Sequence, residues 1–236
     1  MVEKSIIYKT KKFKLFIPET VFQPTATTNF LLDQTYKIIK KTMKILDLGC
    51  GCGVIGILLS KKFNFKNKIY ASDASINAIK IAKKNFKKYK LSHSVKHGSL
   101  YSPWKGEKFD LIINDVSGVS SILAKKSNWF KNVPCNTGLD GSNLTIKILD
   151  QSSKFLNKKG KIILPIISLS NVNKLLKFSN EKFKKVEILS KNEWFLPQEL
   201  LTEKKLLNNL KKKKFIDFKI KFGKIICYTL VIICHN

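Results

Sequence analysis

Aspartates and closely spaced glycines are the residues of this chain best suited by type and spacing to bind a small molecule. The segment ILDLGCGCGVIG carries Asp47 ahead of Gly49, Gly51 and Gly53, and Asp73 follows 20 residues after the last of these. Glycines allow tight turns and a close approach of the backbone to a ligand. The pattern predicts a binding loop for a dinucleotide, a phosphate, a metal or S-adenosylmethionine.

The position of the first aspartate separates these ligands. Gly51-Cys-Gly53-Val-Ile-Gly56 satisfies the dinucleotide pattern G-x-G-x-x-G, and Asp73 stands where a ribose-binding carboxylate is expected. The Asp47 carboxylate, placed in the turn, would repel a pyrophosphate. It suits a ligand with a cationic amino group, and S-adenosylmethionine has one together with a sulfonium. The sequence therefore favours S-adenosylmethionine over NAD.

Two simpler interpretations of the loop stay open. The glycines could serve only tight packing of a strand against a helix. Cys50 and Cys52 could be half of a metal site, but no second cysteine pair has suitable spacing, so we predict no metal. We expect both cysteines to be small loop residues.

Charge and hydropathy limit the class of protein. The 236 residues include 45 basic side chains, all lysines, and the formal net charge is +29. A lysine-only excess fits either an A+T-rich coding sequence or a nucleic-acid surface, and in both cases it attracts anionic partners. The leader-free start, five cysteines and short apolar runs predict a cytoplasmic protein with reduced thiols and no membrane contact.

The order of predicted elements indicates the fold. Apolar runs typical of buried strands alternate with segments of helical spacing from Met43 onwards, which predicts an α/β protein with a doubly wound, mostly parallel sheet and helices on both faces. Residues 1–41 form a lead-in of one strand, Lys12–Ile17, and one helix. Residues 42–236 form the ligand-binding domain, and we expect the two to make one compact unit.

These motifs in this order resemble class I S-adenosylmethionine-dependent methyltransferases, whose sheet is Rossmann-like and seven-stranded. Asp47-x-Gly49-x-Gly51-x-Gly53 resembles the family's first motif, Asp73 the acidic residue that takes both ribose hydroxyls, and Gly98-Ser99-Leu100 the segment beside the adenine. The resemblance covers roughly residues 20–190. It implies S-adenosyl-L-methionine as cofactor, bound by Thr28, Asp47, Gly49, Cys50, Gly51, Gly53, Asp73, Ala74, Ser99, Leu100 and Asn114.

A narrower resemblance concerns the small-domain group, which methylates glutamine amides of release factors or exocyclic amines of bases. VFQPTATTNFLLD (residues 21–33) resembles the lead-in of that group, which has a proline, then a threonine, then an apolar helix. GSLYSPW (98–104) and TGLDGSNL (137–144) resemble its segments on either side of the fourth strand.

The chain departs from that group at the catalytic corner. The group has Asn-Pro-Pro-Tyr, where the Asn and a proline carbonyl hold a planar amino group under the aromatic ring. This chain has Asn114-Asp115-Val116-Ser117, so the stiff carbonyl presentation imposed by the prolines is lost. We predict Asn114 and Asp115 as catalytic residues, with Asp115 accepting a proton from, or orienting, an amine, a hydroxyl or a ring nitrogen.

Alternatives for this corner remain. Asp115 and Ser117 could merely cap the segment that follows. Four aromatic residues could replace the missing stacking ring or could equally be lid and core residues: Tyr101, Trp104, Trp129 and Phe130.

The expected function is methyl transfer to a macromolecular acceptor, either protein or RNA. The lysine-rich segment 192–222 favours an RNA or ribosome-associated partner. A protein that binds S-adenosylmethionine or RNA without transferring a methyl group is the alternative, and an NAD(P) oxidoreductase is disfavoured by Asp47.

Overall fold

The computed structural model describes residues 3–116, 118–133 and 135–236, which form strands and helices in alternation. The strands are β1 (Glu3–Tyr8), β2 (Lys11–Phe16), β3 (Ile45–Leu48), β4 (Ile69–Asp73), β5 (His93–His97), β6 (Phe109–Asn114), β7 (Leu156–Ile167), β8 (Lys185–Phe195), β9 (Lys219–Lys221) and β10 (Lys224–His235). The α-helices are α1 (Ala26–Ile38), α2 (Val54–Phe63), α3 (Ile76–Lys88), α4 (Ser121–Ala124), α5 (Asn143–Ser152), α6 (Val172–Lys182), α7 (Gln198–Leu201) and α8 (Lys204–Lys212).

The central sheet has the strand order β5-β4-β3-β6-β7-β10-β8, and the short β9 pairs with β10. The first five strands in this order are parallel to one another, whereas β10 runs antiparallel to β7, β8 and β9. The predicted doubly wound, mostly parallel α/β fold is therefore confirmed. Its seven strands are joined in the described residues by a three-residue eighth strand, β9.

Apolar side chains on both faces explain why the middle strands lie inside. All four residues of β3 are buried, and so are the last four of β6. Strands covered on both faces need such continuous apolar runs. Helix α3 buries only one side, and Ser75 caps its first turn, since the Ser75 hydroxyl accepts from the Ala78 backbone N–H at 3.3 Å.

The antiparallel end of the sheet is larger than the sequence indicated. Strand β10 lies between β7 and β8 and pairs antiparallel with both. Apolar spacing in the sequence predicts a helix over Val172–Phe178 and a strand over Lys184–Ser190, and both of these ends are wrong. These elements run on to Lys182 and Phe195, because polar residues continue α6 at its exposed end and β8 along the sheet's outer edge.

The lead-in differs from prediction in one respect. The expected strand is β2, but it pairs with a second strand, β1, in a separate hairpin. Tyr8 and Leu15 from this hairpin are buried in the same core cluster as β3, α2 and α3. Asn85 on α3 fixes the contact, because its amide donates to the backbone oxygens of Phe16 and Cys52, at 2.9 Å each.

A third apolar cluster lies beyond the carboxyl edge of the parallel strands. It is formed by residues that follow β6 and by the segment between β8 and the middle of β10, including Val119, Leu123, Leu200, Leu207 and Cys227. It makes a cap on that edge, separate from the two clusters that cover the sheet faces. None of the described helices is long and apolar enough to cross a membrane.

Candidate functional site

A cavity of about 560 Å³ opens at the carboxyl ends of β3, β4 and β6. This edge is where doubly wound sheets bind ligands, and the volume is in the range of small-molecule sites. Eight residues of the predicted cofactor set line it: Thr28, Gly49, Cys50, Gly51, Asp73, Ala74, Ser99 and Leu100. The predicted catalytic residue Asp115 lines it as well.

The glycine loop follows β3 directly and forms the floor of the cavity. Gly49, Gly51 and Gly53 all have positive φ angles, of 75°, 53° and 80°. A Cβ at Gly49 would lie 2.1 Å from Val116 Cγ2, and one at Gly53 would lie 2.7 Å from the Phe86 ring. A Cβ at Gly51 would meet no atom within 4 Å. Gly53 therefore serves helix packing and does not line the cavity, whereas Gly51 faces open space.

Asp73, the last residue of β4, is held by two backbone groups. Its Oδ2 accepts from the Gly51 N–H at 2.9 Å, and its Oδ1 accepts from the Ser75 N–H at 2.8 Å. Each carboxylate oxygen keeps a further lone pair, since an ionised carboxylate offers about four acceptor sites. The carboxylate is thus fixed in position at the cavity wall and still able to accept hydrogen bonds from a ligand.

Asp47 does not lie in the turn, and that expectation is wrong. It is the third residue of β3, paired in register with Ala71 and Ile113, and it is 1% exposed. Neither carboxylate oxygen has a hydrogen-bond partner among the described residues. Burial, followed by repulsion from Asp115 and Asp73, raises the pKa of this carboxyl well above its ordinary value.

Asp115 follows β6 and faces the cavity from the opposite side. The Thr28 hydroxyl donates to its Oδ2 at 2.6 Å, and the same Thr28 oxygen accepts from the Thr25 N–H at 3.2 Å in the cap of α1. Burial raises the pKa of Asp115 to about 7, although the bond from Thr28 lowers it. A carboxyl with that pKa can take up and release a proton near neutral pH.

Asn114 has a different environment from the one expected. Its side chain is fully buried and does not line the cavity. Its Oδ1 accepts weakly from the Val116 N–H at 3.4 Å, while its Nδ2 has no partner among the described residues. Its contact with Val116 supports the turn after β6, and its role toward a ligand stays a prediction.

Backbone contacts hold the segment after β6 in place. A Cβ at Gly118 would lie 2.0 Å from the Gly141 carbonyl oxygen, so the two backbones touch. The Ser120 N–H donates to the Leu169 oxygen at 2.8 Å, and the Thr137 hydroxyl donates to the Val119 oxygen. These contacts fix the corner without prolines. Ser117, which was considered as a cap, lies outside the described residues.

The four aromatic candidates divide into two pairs. Tyr101 and Trp104 are 1% and 0% exposed and belong to the core. Phe130 lines the cavity, and Trp129 lies in a neighbouring one. Phe22 also lines the cavity, with its ring centroid 5.3 Å from that of Phe130. Phe22 was not among the predicted site residues. Its position in the lead-in, just ahead of Pro24, is the signal that could have identified it.

Charge gives the cavity its chemical preference. Asp73 and Asp115 line it, Asp47 lies behind it, and none of the described lining residues is cationic. In a chain with a net charge of +29, such a site favours a ligand that carries positive charge.

The two cysteines of the loop have buried thiols whose pKa values are raised by burial. Cys50 and Cys52 are buried, and burial raises the pKa of the Cys52 thiol to about 12. Within residues 3–116, 118–133 and 135–236, no group of three or more His, Cys, Asp or Glu side chains is arranged to hold a metal ion.

The strand order, the glycine loop after β3 and the acidic end of β4 give the chain a Rossmann-like fold, which its structural neighbours among the methyltransferases share. Residues 23–115 match the family model described as "Methyltransferase small domain". This match and the relatives described next support a class I S-adenosylmethionine-dependent methyltransferase of the small-domain group. The matched region starts inside the lead-in and ends at Asp115.

Two curated relatives are release factor glutamine methyltransferases. The chain is 38% identical over 127 residues to that of Borreliella burgdorferi, covering 51% of this chain and 43% of the relative. It is 31% identical over 183 residues to that of Dictyoglomus turgidum, covering 72% and 61%. The chain thus spans about half the length of these relatives.

A solved structure shares the fold. It is a T. thermophilus 16S rRNA N2 methyltransferase in complex with AdoMet and guanosine, with a TM-score of 0.64 and 13% identity, covering 100% of this chain and 50% of that one.

Proposed function

We propose that this protein binds S-adenosylmethionine in the cavity beside the glycine loop and transfers its methyl group to a macromolecular acceptor, either protein or RNA. The observation that carries the proposal is the set of three aspartates around a cavity whose described lining has no cation. S-adenosylmethionine supplies a methyl group on a sulfonium: an acceptor atom bonds to the methyl carbon in line, the methyl–sulfur bond breaks, and S-adenosylhomocysteine leaves as a neutral thioether.

The residues present fit this ligand. Asp73, fixed by Gly51 and Ser75, would accept hydrogen bonds from both ribose hydroxyls, each worth about 1.5–3 kcal/mol. Asp47 has two unpartnered buried oxygens, and a cation nearby would stabilise its ionised form. Ser99 and Leu100 would border the adenine.

The other predicted cofactor-binding residues are given roles from their positions around the cavity. Backbone groups of Gly49, Cys50 and Gly51 would lie along the ligand, and Ala74 would border the ribose. Gly53 would act by shaping the start of α2. Thr28 would act by holding Asp115, because its hydroxyl is already engaged with that carboxylate.

Asp115 is the proposed proton acceptor. It lines the cavity, and its pKa of about 7 allows an ionised carboxylate at neutral pH. Its Oδ1, which is not the atom bonded to Thr28, would take the proton from an amine, hydroxyl or ring nitrogen of the acceptor. Asn114 would contribute by positioning this corner through Val116.

A second candidate function is supported by the corner itself. The two prolines and the aromatic residue that follow the Asn in the small-domain group are absent here, and the Asn114 amide is buried away from the cavity. A protein that binds S-adenosylmethionine without transferring the methyl group is consistent with this.

The names of the relatives support both acceptor classes. The two curated relatives are named for glutamine in a release factor, and the solved neighbour for 16S rRNA. Binding of S-adenosylmethionine is supported by the family match and by AdoMet in the neighbour's complex.

The test uses S-adenosylmethionine labelled on its methyl group, incubated with the full chain and a cell extract. Transfer predicts label in a protease-sensitive or an RNase-sensitive fraction, and the fraction identifies the acceptor class. Calorimetry with S-adenosylmethionine alone accompanies it. Binding without label in any fraction supports the second candidate, whereas absence of binding by a folded protein overturns both.

A further inference from the structure

A second cavity, of about 200 Å³, adjoins the first one. Phe22 and Phe130 line both, so two aromatic rings form the wall between them. Trp129 and Trp194 line the far side, with ring centroids 6.0 Å apart at 72°. No charged residue is among its described lining residues, and such walls suit a flat, uncharged group with an aromatic face.

Polar groups are present in the second cavity at a few points only. Asn192, Thr25 and Thr27 line it, and Thr229 accepts from the Trp194 indole N–H at 3.0 Å. This bond fixes the Trp194 ring. The Asn192 amide offers both a donor and an acceptor to the edge of a bound planar group.

The sheet extends past its carboxyl edge next to this cavity. Ile167, the last residue of β7, pairs with Thr229, so residues 224–228 of β10 continue beyond it. Phe195, at the end of β8, pairs with Ile226, and β9 pairs with the first residues of β10. The extension therefore projects from the edge that holds both cavities.

Exposed aromatic and basic side chains alternate on this extension. Phe222 is 89% exposed and Phe195 is 62% exposed. Lys221 lies 5.4 Å from the Phe222 ring centroid and Lys224 lies 5.0 Å from that of Phe195. Residues 204–224 contain nine lysines and one acidic residue. Bare rings beside lysines are the combination that proteins use for unpaired nucleotides.

We infer that a segment of single-stranded RNA lies along this extension and inserts one base into the second cavity, beside the proposed methyl-transfer site. The inference rests on the proposed function and names its acceptor. Lys219, Lys221 and Lys224 contact the phosphates, Phe195 and Phe222 stack on neighbouring bases, and Trp129 and Trp194 enclose the inserted base.

An acidic protein segment fits this surface less well. Lysines alone would attract it, but the exposed rings and the uncharged aromatic cavity would have no matching groups on an acidic peptide. Unstacked bases with a backbone of phosphates match both features, and they are most accessible in RNA loops.

The test is fluorescence anisotropy of a labelled, unstructured RNA of about twelve nucleotides with the full chain, at about 50 and about 200 mM salt. Substituting glutamine for Lys219, Lys221 and Lys224 together is expected to weaken binding at least about tenfold and to reduce the salt dependence by about two units of log–log slope. Phe222→Ala is expected to weaken binding about fivefold or more by loss of stacking.

The matched control removes the same charge from the opposite edge of the sheet. Lys158, Lys159 and Lys184 are exposed there, at the starts of β7 and β8. Their triple substitution to glutamine is expected to change RNA affinity less than about threefold. Equal weakening by the two triples, or tighter binding of an acidic peptide or of single-stranded DNA than of RNA, overturns the inference.

Tryptophan fluorescence tests insertion of the base. Trp129 and Trp194 line the second cavity, whereas Trp104 is fully buried elsewhere. RNA is expected to quench the emission of the protein, and Trp129→Phe is expected to remove part of that quenching. Quenching unchanged in both Trp129→Phe and Trp194→Phe would exclude the cavity as the binding place.

Calorimetry with S-adenosylmethionine separates the two proposals. The lysine triple and Phe222→Ala should keep the affinity for S-adenosylmethionine of the unchanged protein. Absence of RNA binding by the unchanged protein, with S-adenosylmethionine binding intact, overturns this inference alone. Absence of S-adenosylmethionine binding overturns the proposed function, whatever the result with RNA.

Discussion

The two cavities at the carboxyl edge of the sheet have walls of different chemistry. Around the first, glycine backbone and three aspartates set the environment. Around the second, aromatic rings do so, and its described lining has no charge. The comparison indicates that the first cavity selects its ligand by charge and hydrogen bonds, whereas the second selects by shape and stacking.

The two sides also differ in how they are anchored. The glycine loop is tied to β4 over a short distance, since Gly49 and Cys50 both donate to the Ser72 oxygen, at 2.8 and 3.0 Å. The side around the second cavity, which we call the acceptor side after its proposed role, is assembled from the segment after β6, the end of β8 and the start of β10. The residues 23–115 that match the family model cover the first side and little of the second.

The largest expected effect is that of Asp115→Asn on methyl transfer. Because the pKa of Asp115 is about 7, turnover should rise with pH through about 7 and level off above it, where the carboxylate is ionised. The variant should lose about a hundredfold in rate and show no such rise. The pH profile of label incorporation measures this; a profile that keeps its shape in the variant would exclude Asp115 as the base.

Asp73→Ala is expected to weaken binding of S-adenosylmethionine about tenfold or more, because bonds to the ribose hydroxyls are lost. Calorimetry on the folded variant measures it. Asp150→Ala is the control, since Asp150 is an exposed carboxylate that pairs with Lys182 away from the cavity. Equal affinities in the two variants would refute the role of Asp73.

Gly49→Ala tests the contact between the two sides. The φ of 75° is strained for alanine, and the added Cβ meets Val116 next to Asp115. The free energy of unfolding should fall by about 1–3 kcal/mol, measured by denaturant titration. Gly106→Ala, at a φ of 78° with open space around it, should lose less. Val116→Ala should restore part of the loss at Gly49; no restoration would contradict the contact.

Asp47→Asn should give the smallest effect of these variants. The direction in which it changes the pH dependence of stability follows from the raised pKa of Asp47. Because the pKa of Asp47 is raised in the folded protein, its contribution to stability is present below the unfolded pKa and is lost as pH rises through the folded one. The variant should therefore lose less stability than the unchanged protein between about pH 5 and about pH 8, in thermal unfolding. Its affinity for S-adenosylmethionine should fall about threefold to tenfold.

The control for this prediction is Asp150, which contributes to the pH dependence of stability in the opposite direction. The bond from Lys182 lowers the pKa of Asp150, so its contribution is present above the unfolded pKa and is lost as pH falls through the folded one. Asp150→Asn should remove only this loss of stability at acid pH. If Asp47→Asn loses as much stability as the unchanged protein between about pH 5 and about pH 8, the raised pKa of Asp47 is refuted.

The cofactor side was largely predictable because its signals are local. Asp73 and the loop residues from Gly49 to Gly51, all selected from the glycine–aspartate spacing, line the cavity as expected. The strand position of Asp47 was missed, since periodicity does not tell where a buried strand ends. The orientation of the Asn114 side chain depends on Val116 and was not visible in the pattern.

The acceptor side could not be predicted in the same way. Phe22, Trp129 and Trp194 meet only because β8, β10 and the lead-in converge in the folded chain. Strand β1 was missed because the apolar and polar residues of EKSIIY do not alternate in the sequence, although exposed and less exposed positions do alternate in the structure. The length of β8 was missed because its second half is polar at the edge of the sheet.

The position of β10 has a consequence for the order of folding. During synthesis, β7 and β8 emerge before β10, yet β10 lies between them. Until residues 224–235 are available, the apolar edge of β7 has no partner on that side, and β8 has no place in the sheet. The first half of β10 also completes the cap on the carboxyl edge. Insertion of β10 therefore completes the sheet and the acceptor side in the same step. A change that slows this insertion would delay the formation of both.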